Sequence, residues 1–573
     1  MNQNNSATNL LKIQDYLRKN QLDAIFVSDT DRYLNEYVPK EQTHYYLLTH
    51  FSGSTCKLLI PANQKARLYV DGRYHEQAAK ECDPSQIEVV KCPQTVSIFN
   101  KMLEEINDLK IKKLAVDGQR TSVMEEENII QGSKCEVTYF DKDELVNIIP
   151  LEKSGRLKTL KHLGVEACGS DPLFKVRSLI KEDEMYFVSA LDSIAWITNA
   201  RGFHIEHQST FYARCILTYN KIYVFNIEEQ NYETSFDEKI IFKHITIAKW
   251  MENIKAIANS IKPSKVYFDR ENLTGADYRL LKSIFDQKQL SAPKEKIIYK
   301  QSIKNKNEID TLQRNYQKSS KAVAETIRQI KRAVKENKKL SEKDLYDITN
   351  DNYKKMGAID LSFNTIAAVG ANASIIHYGK SSDQVMIKNG DMLLLDSGAL
   401  YEEGYSTDKT RTFLVGELKD LNLKKIYTLV LKGLLNAQMA IVPEGTLGAA
   451  IDMLARNPIL QNGYNYLHGT GHGIGIATHE GGIGFSFRSN FAIKEGQAVS
   501  IEPGIYIAGY GGVRLENVVV VEKNHGLEGT LRFRPLVYIG FDHDLIDFDL
   551  LTKEELKYLE IYEADCKKQN TLI

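Results

Sequence analysis

Long apolar runs are missing from this 573-residue sequence. No stretch approaches the roughly 18 consecutive apolar residues of a membrane-spanning helix, so a soluble protein with no membrane partner is the expectation. Charge of one sign is equally scarce as a block: 74 basic and 75 acidic residues are interspersed and leave a net charge of −1. Without a basic stripe there is no electrostatic footprint for nucleic acid, and a polyanionic partner is not expected. Cysteine is sparse, with seven residues (Cys56, Cys82, Cys92, Cys135, Cys168, Cys215 and Cys566) scattered and never in CxxC spacing. These read as ordinary thiols in a reducing, cytoplasmic compartment. The amino terminus, MNQNNSATNLLKIQ, lacks the basic patch and apolar core of an export signal. Only two tryptophans occur, Trp196 and Trp250, and both read as core packing rather than ligand platforms.

What is present is ample material for burial. With 43% hydrophobic residues and 26% charged ones, a prior of about 150 residues per domain gives three or four domains. Leu10, Ile13 and Leu17 mark one face of a first helix, followed by strand-like runs at 24–27, 57–60 and 66–70. A turn at Asp71-Gly72 then leads to a helix through Ala78. This alternation predicts an α/β domain closing near Ile149-Pro150, after which LEKSGRLKTLKHLG suits a linker. A second segment of similar size and order follows, with a helix near Leu179 and a mixture of elements at 185–190, 194–197 and 216–225. A third starts near Ile303 with a long helix on which Val323, Ile327, Ile330 and Val334 recur at helical spacing. Ser341 and Asp344 read as the capping box of the next helix.

The chemistry concentrates between His377 and Glu516. Its centre is LHGTGHGIGIATHEGGIG, residues 467–484, where three histidines sit in a glycine-dense run able to approach a ligand closely. On either side lies a hairpin bearing two acids. In NGDMLLLDSGALYEEGYSTDKTRTFLV a strand delivers Asp396, a turn falls at Glu402-Glu403-Gly404, and a second strand carries Asp408 back, close to opposite Asp396. In AVSIEPGIYIAGYGGVRLENVVVV, Glu502 and Glu516 lie symmetrically about Gly509, and Pro503 should loosen the pairing beside Glu502. Four carboxylates converging in one cleft repel and raise one another's pKa unless cations neutralise them. With His472 they have the ligand number for two divalent ions, and the oxygen-rich shell favours Mn(II), with Co(II) or Zn(II) compatible. Two such ions about 3.5 to 4 Å apart are hydrolytic machinery. His377, His468 and His479 then become candidates for holding the substrate or a tetrahedral intermediate.

The motifs IIHYG, LLLDSG, STDKTRTF, HGTGHGIG, THEGG, IEPGIY and VRLENVV, in this order, resemble the metallopeptidases of the pita-bread fold. DGRYHEQAAK, ALDSIAWITNARG and LRFRPLVYIGFDHDLIDFDLLTKEE extend the likeness over nearly the whole chain, to the long three-domain Xaa-Pro aminopeptidase (aminopeptidase P) branch of that family. The resemblance implies an α/β (α+β) architecture of two creatinase-like amino-terminal domains, residues 1–155 and 156–302, before a pita-bread catalytic domain, residues 303–573. It implies two metal ions, usually manganese, held by Asp396, Asp408, His472, Glu502 and Glu516, with Asp408 and Glu516 bridging. Glu502 would also serve as general base, His377, His468 and His479 would face the substrate, and Arg514 and Tyr506 would orient Asp396. The implied reaction removes an amino-terminal residue ahead of proline, in a cytoplasmic homodimer acting on peptides. An Xaa-Pro dipeptidase and a catalytically silent peptide- or protein-binding module remain the alternatives. The interval from Asp396 to Asp408 is one residue longer than is usual in the family, which predicts a longer loop or a β-bulge there.

Overall fold

The computed structural model describes residues 3–152, 156–226, 231–245 and 247–573. Gly155, where the first domain boundary is expected, lies outside the described residues. The chain forms two compact units, one of residues 1–162, 170–206 and 210–296 and the other of residues 163–169, 207–209 and 297–573.

The first unit is built from one plan used twice. Its first six-stranded sheet runs in the order Ile87–Lys91, Ala66–Val70, Lys57–Pro61, Ala24–Ser28, Lys113–Val116, Glu136–Tyr139. Its second runs Ile240–His244, Lys221–Asn226, Arg214–Thr218, Glu184–Val188, Lys265–Phe268, Leu290–Ser291. In both sheets the third and fourth strands in this order pair antiparallel and the outer pairs at each end run parallel. The first sheet is covered on both faces, by Leu10, Ile13 and Leu17 with Val27, Leu58 and Leu68 on one side and by Met102, Ile106 and Ile129 with Phe26 and Leu59 on the other. Trp250 lies in the core of the second sheet, 4.7 Å from Phe225. The Ile194–Ile197 run, apolar enough for a strand, is helical instead, within Leu191–Thr198.

The two halves of this unit meet with near two-fold symmetry. The helices Val123–Gly132 and Gly275–Ile284 are capped by Ser122 and Thr274, which pair with each other as an antiparallel bridge. The first two N–H groups of each helix have no partner within their own helix and need one elsewhere. Val123 and Met124 donate to the Leu273 and Arg270 carbonyls, while Gly275 and Ala276 donate to those of Thr121 and Gly118. Every donor and acceptor in this exchange is displaced by the same 152 residues, the signature of an isologous contact between two copies of one surface. Arg279 breaks the symmetry: its guanidinium donates to Glu126 and to Asp141, at 2.6 Å in each case, and its carbon lies 3.9 Å from the Tyr139 ring centre.

The long helix of the second unit is Lys306–Lys335, whose capping box is Asn305 with Glu308. Leu312, Val323, Ile327 and Ile330 are buried along it. The capping box expected at Ser341 and Asp344 starts the helix Glu342–Lys355. Behind these lie a three-stranded sheet, Ile366–Val369, Met392–Ser397 and Lys409–Leu414, and a six-stranded one that contains Gly471–Gly473, Ala498–Ile501 and Asn517–Lys523. The helix Leu421–Gln438 and the terminal helix Lys553–Lys568 close the core over these sheets with Leu431, Leu435, Leu559 and Tyr562.

Removing the Arg279 side chain leaves Glu126, only 5% exposed, without its cation. Arg279→Ala is therefore expected to destabilise the full-length protein by about 2 to 3 kcal/mol, in the range of hydrogen bonds to charged groups. Denaturant unfolding checks this, and an unchanged midpoint would show that the two halves hold together without it.

Candidate metal centre

The first acid hairpin pairs Asp396 with Thr410, not with Asp408. Asp408 lies two residues further down the partner strand on the same face, so the two acids meet diagonally. The same register continues to the bridge between Leu400 and Ser406, and a five-residue turn closes the hairpin with Gly404 at φ 67°. There is no bulge in this ladder, and the longer interval is taken up by the turn. Asp408 donates its N–H to the Tyr316 hydroxyl of the long helix at 3.2 Å. Lys409 points to the opposite face, fully buried, and donates to Tyr353, Ser319 and the Ser397 carbonyl.

In the second hairpin the ladder lapses at the acids. Ile501 pairs with Asn517 and Gly504 with Arg514, in one continuous register, but Glu502 and Glu516 between them are outside the ladder. Pro503 has no N–H to contribute there, as expected. The freed amides are used elsewhere: Glu502 donates its N–H to the Thr470 carbonyl at 2.7 Å and Glu516 to the Thr410 carbonyl at 3.1 Å. These two bonds join the second hairpin to the histidine loop and to the first hairpin.

His472 stands on the short strand Gly471–Gly473, where the register slips beside it. Its flanking glycines are needed for close approach, since a Cβ would lie 1.8 Å from the Ser500 carbonyl oxygen at Gly471 and 2.4 Å from that of Glu480 at Gly473. His472 Nδ1 lies 3.0 Å from the Gly473 carbonyl, which can only accept, so Nδ1 carries a proton and the lone pair of the neutral ring is on Nε2. Nε2 faces Glu502 Oε1 at 3.3 Å and Asp408 Oδ2 at 3.5 Å. His479 packs edge-on against His472, with ring centres 4.2 Å apart.

The acids are thus gathered with little water around them. Asp396, Asp408 and Glu516 are buried, and one ligand atom from each of Asp408, His472 and Glu516 falls within 4.8 Å of the others. Burial, with Asp408 and Glu502 alongside, pushes Asp396 up to about 7 against the pull of Arg514. Burial and the other three acids raise Glu516 well above the carboxylate range, and burial also raises Glu502. Burial opposes the His472 imidazolium, but Asp408 and Glu502 outweigh it and lift the group to about 9. Two carboxylate oxygens, Asp396 Oδ1 and Glu516 Oε1, are buried with no hydrogen-bond partner. Orphaned buried acceptors are costly, and four carboxylates with one imidazole suit hard divalent cations. The residues present fit such ions.

A hydrogen-bonded chain surrounds this set. Arg514 Nη2 donates to Asp396 Oδ2 at 2.7 Å and Nη1 to the Tyr506 hydroxyl at 2.8 Å. Tyr506 lies 2.9 Å from His468 Nε2, and His468 Nδ1 lies 2.7 Å from the Gly469 carbonyl. With Nδ1 donating to that carbonyl, Nε2 has the Tyr506 hydroxyl as its partner. His377 is half-buried and follows the turn Gly370–Ser374, which packs on the strand Gly511–Arg514 of the second hairpin.

Residues 314–523 match metallopeptidase family M24, and residues 10–149 and 158–308 each match a creatinase/prolidase amino-terminal domain. The three matches follow one another along the chain, the metallopeptidase match last. Among the relatives of this chain are two named probable Xaa-Pro aminopeptidase P. The one from Laccaria bicolor is 28% identical over 98% of this chain and 90% of its own length. The one from Colletotrichum graminicola is 29% identical over 97% and 94%. The crystal structure of X-prolyl aminopeptidase from Caenorhabditis elegans, described as a cytosolic enzyme with a di-nuclear active site, superposes with a TM-score of 0.88 at 24% identity over 98% of this chain and 96% of that one. The likeness establishes the fold: two creatinase-type domains and a pita-bread domain.

One residue of the site has no role assigned from the motifs. Thr410 accepts from Arg514 Nε at 3.2 Å and donates to Glu516 Oε2 at 2.8 Å, linking both hairpins through one hydroxyl. Its position two residues beyond Asp408, on the same strand face, is the signal that could have found it.

Every resolved shift among these ligands is upward, which fixes the sign of the pH dependence. A group with a raised folded pKa stabilises at low pH and loses that contribution as pH rises through the folded value. For Asp396 the window runs from the model-compound value of roughly 4 to about 7; for His472 it runs from roughly 6.5 to about 9. Metal-stripped protein should lose stability across this span, and a divalent cation, which binds the deprotonated set, should restore more at high pH. The Mn(II)-induced rise in Tm of the full-length protein is expected to be larger at pH 8 than at pH 6 in scanning calorimetry, and an equal or smaller rise would contradict this electrostatic account.

Proposed function

We propose that this protein is a metal-dependent aminopeptidase that releases the first residue of peptides with proline in second position. The carrying observation is the pair of partnerless carboxylate oxygens, Asp396 Oδ1 and Glu516 Oε1, in a pocket where Asp408, His472 and Glu516 converge. The relatives named Xaa-Pro aminopeptidase P and the Caenorhabditis elegans enzyme support the substrate class. In this reading Asp396, Asp408, His472, Glu502 and Glu516 would hold two divalent ions, most readily Mn(II), with Co(II) or Zn(II) also compatible. Bound divalent ions supply Lewis acidity and lower the pKa of water.

The remaining work belongs to the chain. Glu502, with its raised affinity for a proton, takes the proton of the attacking water and returns it to the prolyl nitrogen of the leaving peptide. That return matters because the Xaa-Pro bond is a tertiary amide with no N–H of its own. His377 and His479 face the substrate and stabilise charge as it develops on the scissile carbonyl oxygen, while His468, with both ring nitrogens engaged by Tyr506 and the Gly469 carbonyl, stands beside them and holds Tyr506. Arg514 and Tyr506 keep Asp396 aimed, since each is hydrogen-bonded into the chain that ends on its carboxylate. The division of the chain at residues 155 and 302, a homodimeric state and a cytoplasmic location belong to the same proposal.

A peptide length series tests it. Release of the first residue from Xaa-Pro tripeptides and longer peptides is expected, lost on chelation and regained with Mn(II). Cleavage confined to dipeptides would assign a dipeptidase instead, and no cleavage by metal-loaded protein would leave a silent binding module. Glu502→Ala should lower kcat at least about 100-fold, as removal of a proton-transfer group does.

A further inference from the structure

Glu342 stands on the first turn of the helix Glu342–Lys355, directly after its cap Ser341, and its side chain is completely buried. A glutamate in a first turn is ordinarily explained by the helix dipole. Here the side chain does something else: it ties down both ends of the segment that carries His377. Oε1 accepts from the Val369 N–H at 2.8 Å and from Asn372 Nδ2 at 3.1 Å. Oε2 accepts from the Tyr378 hydroxyl at 2.7 Å and from the Ser382 N–H at 3.0 Å. Asn372 Nδ2 also lies 3.0 Å from the Tyr378 hydroxyl, so the donors before and after His377 are linked to each other.

The other side of the segment is closed by the second acid hairpin. A Cβ at Gly512 would lie 2.1 Å from the Ala373 carbonyl oxygen, so the segment rests on hairpin backbone two residues from Arg514. With one carboxylate anchoring both ends and the hairpin beneath, the His377 segment has little freedom left. Hydrogen bonds to an ionised acceptor are roughly twice as strong as neutral ones.

We propose that Glu342 is a positioning residue that clamps the His377 segment and so sets where that imidazole stands at the substrate. The kinetic part rests on the substrate-side role of His377 given above; the clamp itself does not. Glu342 touches neither the substrate nor the acids of the metal centre and acts only through the segment it holds.

The test uses full-length, metal-loaded protein. Glu342→Gln keeps size and shape but sets an NH2 group against the Ser382 N–H or the Val369 N–H. Expected are faster amide hydrogen exchange confined to residues 367–383, unchanged metal content, and a fall in kcat of about 10- to 100-fold with a smaller change in KM, the scale of a misplaced catalytic group. In a His377→Ala background the same substitution should cost less than about twofold, because a group acting through His377 has nothing left to position. Tyr378→Phe, which deletes one of the four donors, should show the same pattern in weaker form and serves if Glu342→Gln fails to fold. Exchange that is unchanged, or raised throughout the domain, overturns the clamp, as does an undiminished kinetic loss without His377. If the wild type cleaves no Xaa-Pro peptide, the functional reading fails, and hydrogen exchange alone decides the clamp.

Discussion

Four carboxylates held out of water at one place are the constraint to which the rest of the second unit answers. Like charges at hydrogen-bonding range in a low-dielectric site cannot all stay ionised without compensation. The chain supplies some of it. Arg514 is bound to Asp396, Thr410 donates to Glu516, and His472 sits between Asp408 and Glu502. Lys409 adds a positive group on the far face of the first hairpin, although burial among neutral partners pulls it down to about 7. This compensation is incomplete, as the raised Asp396 and Glu516 show, and an incompletely neutralised, oxygen-lined pocket is what favours divalent cations.

Holding such a pocket together calls for cross-links that do not consume the carboxylate oxygens, and the backbone supplies them. Because the second ladder lapses at Glu502 and Glu516, their amides reach the Thr470 and Thr410 carbonyls. Arg411 completes the framework from behind. Fully buried, it donates to the carbonyls of Thr410, Glu516, Ile539 and Gly540 and to the Tyr562 hydroxyl. A guanidinium has enough donors in a fixed fork to serve several carbonyls at once, which an ammonium cannot do with the same geometry. The terminal helix is thereby connected to the backbone of Glu516 itself.

Much of this was legible in the sequence because it depends on short-range rules. The apolar run that ends in Asp396 and the proline beside Glu502 indicate where these acids stand, and the spacing of Val323, Ile327 and Ile330 indicates the long helix beneath. The register of the first hairpin was not legible to the residue. Nothing in YEEGYS says whether the turn is centred on Glu402 or on Glu403, and that difference turns an opposed pair of aspartates into a diagonal one. Ile194–Ile197 leaves its element type open for a related reason, since a short buried run has no polar phase to reveal its period. Contacts between distant segments, such as Thr410 with Arg514 or Glu342 with Ser382, leave no trace in local pattern at all.

The choice of aspartate in one hairpin and glutamate in the other follows from the two ladders. In the first, Asp396 stands within the ladder and Asp408 one residue past its end, its N–H held by Tyr316 and the register kept as far as the Leu400–Ser406 bridge, so a short side chain with few rotamers suffices. In the second, the ladder lapses at the acids and their backbone is drawn toward Thr470 and Thr410. An extra methylene lets Glu502 and Glu516 aim their carboxylates independently of a backbone already committed elsewhere. The cost is one more torsion to hold, and the structure restrains it with a hydroxyl on each glutamate, Ser500 at 3.2 Å from Glu502 and Thr410 at 2.8 Å from Glu516. Thr410 therefore has two tasks in one residue: its carbonyl fixes the Glu516 backbone and its hydroxyl fixes the Glu516 carboxylate. The geometry of the second hairpin is in this way referred back to a single strand of the first, and the two pairs of acids are set by one reference rather than two.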